Sequence, residues 1–280
     1  MLRVASSLAI CLPLYFNTNA QQRIITAGSV ITETVCALGD CAKIIASDRT
    51  SLYPESIQQL PSIGYRTGIS AEGILSLKPT LIIVEKEYVE ESVLQQLSSS
   101  GITLLVVDRK LNFNDTKKLI TQIAVALNRQ EEGKKLIAKN ETELAEAKKM
   151  LQKAVSKPKV LAVYNRGTST ISIAGTGTFS EILQYTNAQN AFDHVDGYKP
   201  LNSEALIAAN PEYLVMTSTG FESIGGMEGV LKISGVAQTT AGKKKQIVVV
   251  NSLKLTNFGP RFGETVKELV GLLHPECLTK

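Results

Sequence analysis

The chain has 280 residues, of which 20% are charged and 44% hydrophobic, and its formal net charge is +4. This composition is globular and excludes a disordered or fibrous protein. The basic residues form no stripe with interleaved aromatics, so we expect no nucleic-acid binding. At about 150 residues per domain, the length predicts two domains.

The first twenty residues, "MLRVASSLAICLPLYFNTNA", are unlike the rest of the chain. One base, a short apolar core and a small-residue ending predict a signal peptide over residues 1-20, cleaved after Ala20. The core is shorter than the roughly 20 apolar residues that span a bilayer. Ile10 is too large to precede a lipidated cysteine, so we expect no lipid anchor on Cys11. The sequence therefore predicts a protein that lies outside the cytoplasm and is free to diffuse.

Two further cysteines, Cys36 and Cys41, flank the short stretch "ALGD". In an oxidising compartment they could form a disulfide. In the alternative interpretation Cys36 packs at a helix end, Cys41 begins a strand, and no bond joins them. Cys277 is expected to be unpaired. Only two histidines are present, which rules out a zinc site with several histidine ligands.

Residues 21-113 alternate between strand-like and helix-like segments. The apolar runs "RIITAG", "AKIIASD", "TLIIVE" and "ITLLVVD" predict strands, and "SVITETVCALG", "SAEGILSLK" and "EESVLQQLSSSG" predict helices. Continuous apolar strands that alternate with helices are typical of a parallel sheet covered on both faces. We therefore predict an N-terminal α/β lobe.

The character changes over residues 114-156, which contain no strand pattern. The segment begins with a helix that we expect Asn114 or Asp115 to cap. A second, largely charged helix of about 25 residues follows, with a length of about 37 Å. Alternation resumes over residues 157-280, from "KPKVLAVYN" to "GETVKELVGLLH". The fold class is therefore α/β, with two Rossmann-like α/β lobes joined by a long backbone helix.

One helix-strand unit occurs in each lobe, as "SAEGILSLKPTLIIV" and "NSEALIAANPEYLVM". Glu72 aligns with Glu204, and in both copies a proline ends the helix before a strand. A Gly-Tyr pair precedes each copy, at Tyr65 and, one residue out of step, at Tyr198. Two similar lobes form a cleft between them, and clefts between domains are favoured ligand sites.

The loop position of Tyr65 allows two interpretations. Its ring could cover the edge of the core with the hydroxyl in water. Its oxygen could instead bind a metal, since a phenolate suits ferric iron and tyrosine is a known axial ligand of haem. Free phenols ionise near pH 10, so a metal or a nearby arginine must assist. Arg66 and Arg261 are candidates.

Glu72 and Glu204 open matching helices, where an acid stabilises the helix dipole by about 0.3–1 kcal/mol. That effect alone could explain both residues. The alternative uses their equivalence: two acids at matching positions of two lobes could dock on basic patches of a symmetric partner.

A loose dinucleotide fingerprint lies in the second lobe, at Gly175, Gly177 and Ser180. The third glycine of the pattern is replaced by serine, so the match is weak. The sequence contains no GxSxG motif, Cys-His pairing or carboxylate dyad. We therefore predict that the protein is not an enzyme and keep a nucleotide-dependent oxidoreductase as the alternative from another class.

The blocks "YPESIQQLPSIGYRTGISAEGILSLKPTLIIV", "GYKPLNSEALIAANPEYLVM" and "NFGPRFGETVKELVGLLHPE" resemble the periplasmic haem-binding proteins of bacterial haem ABC importers. These are class III periplasmic binding proteins, related to the carriers of siderophores and cobalamin. The resemblance covers nearly the whole mature chain. It implies two α/β lobes, a rigid backbone helix and haem b (hemin) as the transported ligand.

The resemblance also implies residue roles. Tyr65 matches the tyrosine that coordinates haem iron, and Arg261 lies in a motif whose arginine reaches the haem side. Glu72 and Glu204 match the acids that dock on an ABC permease dimer in the inner membrane. The expected function is therefore extracytoplasmic haem capture by a monomer. The alternative cargo is a ferric siderophore or cobalamin.

Two departures from the family pattern change the expected iron site. Two positions after the tyrosine, where the family often has a basic residue, this chain has Thr67, and Arg66 comes one position earlier. Some members add a histidine near the start of "TFSEIL", where this chain has Gly177 and Thr178. We therefore expect five-coordinate iron, or Tyr198 as a different second ligand.

Overall fold

The computed structural model describes residues 22–166 and 170–278. The predicted signal peptide and Cys11 lie outside the described residues.

The first lobe is built on a four-stranded sheet in the order β2-β1-β3-β4, with all neighbours parallel. Its strands are β1 (Ile24–Ala27), β2 (Ile44–Ser47), β3 (Leu81–Glu85) and β4 (Thr103–Val107). Its helices are α1 (Ser29–Ala37), α2 (Ala71–Ser76), α3 (Glu91–Ser98) and α4 (Phe113–Ala126). The parallel sheet expected from the sequence is confirmed.

Alternate residues of each strand point to opposite sides of this sheet, as the pleat requires. Ile24 and Ile83 pack with α1 and α4 on one side. Ile25 and Ile82 pack with α2 and α3 on the other. Because helices cover both sides, most residues of the strands are apolar, and the exceptions are Thr26, Ser47, Glu85 and Thr103.

Helix α5 (Gln130–Met150) is the long helix between the lobes and has 21 residues, or about 31 Å. The helix is shorter than predicted, because after Met150 the chain continues as a 3-10 turn over Leu151–Lys153. The prediction that Asn114 or Asp115 caps α4 is wrong. The cap is Asn112, whose side-chain oxygen accepts a hydrogen bond from the Asp115 backbone N–H at 2.9 Å.

The second lobe has a six-stranded sheet in the order β10-β9-β5-β6-β8, with β7 also paired to β5. Its strands are β5 (Lys159–Arg166), β6 (Thr170–Ala174), β7 (Gln189–Asn190), β8 (Tyr198–Pro200), β9 (Tyr213–Thr217) and β10 (Ile247–Val250). Its helices are α6 (Thr178–Leu183), α7 (Ser203–Ala209), α8 (Ser218–Ser223), α9 (Gly226–Lys232), α10 (Thr240–Lys244), α11 (Ser252–Asn257) and α12 (Phe262–Leu273). The sheet is mixed, since β6 is antiparallel to both β5 and β8. Strand β5 ends at Arg166 and β6 begins at Thr170, and so short a connection does not allow a parallel crossover.

Helix α5 is fastened to the second lobe through the buried Asn140. Its amide nitrogen donates to the Pro260 carbonyl at 2.8 Å, and its amide oxygen accepts from the Gly263 N–H at 2.8 Å. A Cβ at Gly263 would lie only 2.6 Å from the Asn140 backbone oxygen, so glycine permits this close approach. The connecting helix therefore packs rigidly against the start of α12.

Cys36, in the last turn of α1, is joined to Cys41 by a disulfide with a sulfur–sulfur distance of 2.13 Å. Cys41 begins a 3-10 turn rather than a strand. Cys277 is a buried free thiol. The structure thus contains the bond of the disulfide interpretation, and its third cysteine is a free thiol.

Candidate ligand-binding cleft

A cleft of about 490 Å³ lies between the lobes, which is within the range of about 300–1,000 Å³ usual for small-molecule sites. The first lobe lines it with Ser29, Arg49, Thr50, Leu52, Tyr65, Arg66, Glu85, Tyr88, Arg109 and Leu111. The second lobe lines it with Tyr164, Thr217, Thr219, Ser252, Leu253, Thr256 and Asn257. The lining of the cleft therefore combines aromatic and aliphatic side chains with arginines and hydroxyl groups.

The backbone before Tyr65 is fixed against the end of β2. The Ile63 N–H donates to the Ser47 carbonyl at 2.9 Å, and the Arg49 N–H donates to the Gly64 carbonyl at 3.0 Å. Gly64 has φ +108°, and a Cβ there would lie 2.7 Å from the Gly68 oxygen. Only glycine suits this conformation, which explains the glycine of the Gly-Tyr pair seen in the sequence.

The Tyr65 side chain is 41% exposed and stands edge-on to the ring of Tyr88, with centroids 6.2 Å apart. The Arg66 guanidinium lies 5.9 Å from the Tyr65 ring centroid and 5.2 Å from that of Tyr88. Arg66 has φ +44°, a left-handed conformation that is uncommon for a non-glycine residue. This turn places a cation beside two aromatic rings.

Tyr88 is buried, and its hydroxyl donates a hydrogen bond to the Thr50 hydroxyl at 3.1 Å. Thr50 in turn donates to the buried Asp48 carboxylate. Burial raises the pKa of Tyr88 well above its usual value, and the nearby Asp48 adds to that shift. Tyr88 therefore remains a neutral phenol. Of the two tyrosines, Tyr65 is the one that is exposed in the cleft.

Positive charge predominates in the cleft, since the described residues that line it include Arg49, Arg66 and Arg109 but a single acid, Glu85. Glu85 is already paired: its Oε1 accepts from Arg109 Nε at 3.0 Å. The cleft therefore favours a ligand that carries negative charge.

Arg261 lies outside the set of residues that line this cleft. Its Nε and Nη2 donate to the two oxygens of Glu33 in α1, at 2.5 and 3.0 Å, and its guanidinium stacks 4.0 Å from the Tyr53 ring centroid. Burial opposes ionisation, but the Glu33 carboxylate outweighs it and raises the pKa of Arg261. The structure therefore does not support the prediction that Arg261 reaches the ligand, because its donors join the two lobes.

We expect Glu33→Gln to lower the free energy of unfolding by about 3 kcal/mol, because it leaves the largely buried Arg261 charge without its partner. Urea unfolding of the purified protein measures this. Glu33→Gln combined with Arg261→Met should recover most of the loss. The control is Glu146→Gln, which breaks the half-exposed Lys267–Glu146 pair and should cost less than about 1 kcal/mol. Equal losses in Glu33→Gln and Glu146→Gln would contradict the interlobe role.

Tyr198 is half-exposed at the start of β8 and lines a smaller pocket that adjoins the cleft, since Thr217 and Thr256 line both. Its ring packs against Tyr164, which lines the cleft itself, with centroids 5.7 Å apart. Burial and the adjacent Tyr164 raise the pKa of Tyr198, and a hydrogen bond with Thr178 acts in the opposite direction. The structure thus brings Tyr65 and Arg66 together in the cleft and leaves Tyr198 one side chain away from it.

Glu72 and Glu204 are exposed residues in the first turns of α2 and α7. Each helix is capped in the same way: the Ser70 hydroxyl accepts from the Gly73 N–H, and the Asn202 side chain accepts from the Ala205 N–H. The two copies of the helix-strand unit therefore present their acids equivalently, one on each lobe.

The glycine-rich turn before α6 has a packing role. A Cβ at Gly175 would lie 2.0 Å from the Val195 backbone oxygen. The carbonyl oxygen of Gly175 accepts a hydrogen bond from the Ser180 hydroxyl at 3.0 Å. The helix that follows has only six residues. The close approach of two backbone segments explains Gly175 without a nucleotide.

Sequence reasoning missed four of the residues that line the cleft: Arg49, Tyr88, Arg109 and Tyr164. Arg49 and Arg109 each follow the end of a parallel strand by two residues, since β2 ends at Ser47 and β4 at Val107. Ligands of such sheets bind at the carboxyl ends of the strands. That rule could have found both arginines and also Tyr88, which closely follows the end of β3 at Glu85, whereas Tyr164 lies within β5.

Two α/β lobes, a long connecting helix and a cleft lined by both lobes define a solute-binding protein. A family model of periplasmic binding proteins matches residues 24–252. The chain therefore belongs to the periplasmic binding protein family, whose members serve ABC importers. Within residues 22–166 and 170–278, no helix has the length and apolarity needed to cross a bilayer.

Three known proteins illustrate the relationship. The periplasmic heme-binding protein RhuT from Roseiflexus sp. RS-1 is 34% identical, with a TM-score of 0.86 over 92% of this chain and 99% of that one. YvrC of Bacillus subtilis, an uncharacterised ABC transporter substrate-binding lipoprotein, is 26% identical over 91% of this chain and 81% of its own length. The vitamin B12-binding protein of Pectobacterium atrosepticum is 26% identical over 86% of this chain and 84% of its own length. The structural similarity supports the class III haem-binding group recognised in the sequence.

Proposed function

We propose that this protein captures haem in the interlobe cleft outside the cytoplasm and delivers it to an ABC permease, without catalysing a reaction. The observation that carries the proposal is the exposed Tyr65 ring, which stands in a cationic cleft beside Arg66. A phenol oxygen in that place is suited to ferric iron, and tyrosine is an established axial ligand of haem.

The other cleft residues suit the rest of a haem molecule. Leucine and tyrosine side chains from both lobes offer apolar contact to a flat porphyrin. Burying about 300 Å² of apolar porphyrin contributes roughly 7 kcal/mol before the costs of association. The arginines complement the negative charge of the propionates. Apolar contact thus supplies much of the affinity, and the iron–phenolate bond supplies specificity.

The iron is proposed to be five-coordinate, with Tyr65 as its protein ligand. Tyr88 is held as a neutral phenol by burial and by the Asp48 network, and Tyr198 lines the adjoining smaller pocket rather than the cleft itself. The rigid attachment of α5 to the second lobe limits hinge motion, so capture involves small movements of the lobes.

Delivery is proposed to use Glu72 and Glu204, one from each lobe, against basic residues of a permease dimer. The mature protein is proposed to begin after Ala20 and to act as a periplasmic monomer. The lipoprotein name of YvrC does not support the expectation that Cys11 carries no lipid.

A corrinoid or ferric siderophore on the same fold is the second candidate, because a vitamin B12-binding protein is among the relatives. Titrations of the purified protein with hemin, cyanocobalamin, a ferric siderophore and NADH separate the possibilities. We expect hemin alone to bind saturably and to give the absorbance of a tyrosinate–ferric haem complex. Saturable cobalamin or siderophore binding with an unchanged hemin spectrum would overturn the haem assignment, and tight NADH binding would favour an oxidoreductase.

A further inference from the structure

A buried cation with an unused hydrogen-bond donor lines the cleft. The Arg109 side chain is only 5% exposed, and its Nε donates to Glu85 Oε1 at 3.0 Å. Its Nη1 atom is buried and has no hydrogen-bond partner among the described residues. A buried donor without a partner costs about 1–3 kcal/mol, and more for a charged group. Such a group in a binding cleft indicates a partner that the protein itself does not provide.

The surroundings of Arg109 keep it charged and provide no acceptor for Nη1 among the described residues. Burial lowers the pKa of Arg109, but Glu85 and Asp115 act against that shift, and a guanidinium does not deprotonate in proteins. The oxygens of Asp115 already accept from the Lys110 N–H and from Lys118. The pair with Glu85 uses only one of the five N–H donors of the guanidinium.

The position of this pair is that of a ligand site. Glu85 is the last residue of β3, and Arg109 follows β4 by two residues. The carboxyl ends of adjacent parallel strands therefore meet here, where ligands of α/β sheets bind. Both side chains line the cleft that also holds Tyr65.

We infer that Arg109 binds a carboxylate of the ligand through its Nη1 side, so that the cargo is an anionic porphyrin rather than an amide-bearing corrinoid. Since Nη1 is covered in this structure, the guanidinium shifts toward the cleft as the carboxylate arrives, while Nε keeps its contact with Glu85. This inference rests on the proposed function and names the chemical group that the site selects.

The test compares hemin with hemin dimethyl ester, in which both carboxylates are blocked. We expect the wild-type protein to prefer hemin by about 10- to 100-fold, the range of one or two charge-assisted hydrogen bonds. Arg109→Gln should reduce that preference about tenfold, while both porphyrins still give the tyrosinate–haem absorbance. Lys86→Gln is the matched control: it removes one positive charge from the exposed Lys86–Asp108 pair, next to Glu85 and Arg109 in sequence, and should leave the preference unchanged.

The possible outcomes distinguish this inference from the proposed function. An undiminished preference in Arg109→Gln, or an equal reduction in Lys86→Gln, overturns the contact and leaves Arg109 as a brace for Glu85. If Arg109→Gln fails to fold, Glu85→Gln combined with Arg109→Gln removes the ion pair as a unit and must show the same reduced preference. The absence of tyrosinate–haem absorbance in the wild type would instead overturn the proposed function.

Discussion

Tyr65→Phe is expected to abolish the tyrosinate–ferric haem absorbance and to weaken hemin binding at least about 100-fold, equivalent to about 2.7 kcal/mol. The substitution removes one oxygen and keeps the ring that packs edge-on against Tyr88. Because the side chain is 41% exposed, the loss of the hydroxyl leaves no buried polar group unpaired. The fold should therefore survive, and the change should report on the iron bond. Absorbance titration with hemin measures both quantities.

Two other tyrosine substitutions show whether the effect is particular to this oxygen. Tyr185→Phe alters a ring that packs against Phe262 and does not line the cleft, so spectrum and affinity should match the wild type. Tyr198→Phe tests the second ligand considered from the sequence. An unchanged spectrum in Tyr198→Phe supports five-coordinate iron. An unchanged spectrum and affinity in Tyr65→Phe would remove the anchor of the proposed cargo.

The lobes and the repeated helix-strand unit could be predicted because their signals are local. Continuous apolar strands, a capping residue such as Ser70 and a proline at each helix end specify these elements within a few residues. The position of Tyr65 follows from Gly64, whose positive φ is also a local requirement. A site residue held by its own turn can be recognised without knowledge of its distant neighbours.

The environment of Arg261 could not be predicted, because its partner Glu33 is 228 positions away in the chain. The pattern around Arg261 resembled that of a ligand-binding arginine, yet only the packing of α1 against the start of α12 decides what the guanidinium contacts. The same is true of Arg109, whose unused donor depends on its geometry against Glu85. Sequence indicates where charged side chains lie along the elements, and tertiary contacts determine which donors remain available.

Replacement of Glu72 and Glu204 by lysine together is expected to abolish uptake of haem while hemin affinity stays at the wild-type value. Both acids are exposed and lie in first turns outside the cleft, so neither can affect the iron site directly. Reversing their charge places like charges against the proposed basic residues of the permease, which costs several kcal/mol. Uptake into vesicles that contain the permease, alongside a hemin titration, measures the two effects separately.

The reversal also places a base at two helix N-termini, which the helix dipole disfavours. Glu91→Lys with Glu228→Lys is the matched control, since these are exposed first-turn acids of α3 and α9, one in each lobe. The control carries the same charge change and the same dipole cost, so normal uptake in it assigns the loss to the docking acids. Normal uptake by the Glu72→Lys, Glu204→Lys protein would contradict docking through these residues. Equal loss in both variants would instead attribute the effect to net charge, because long-range attraction to the permease depends on total charge rather than on two particular contacts.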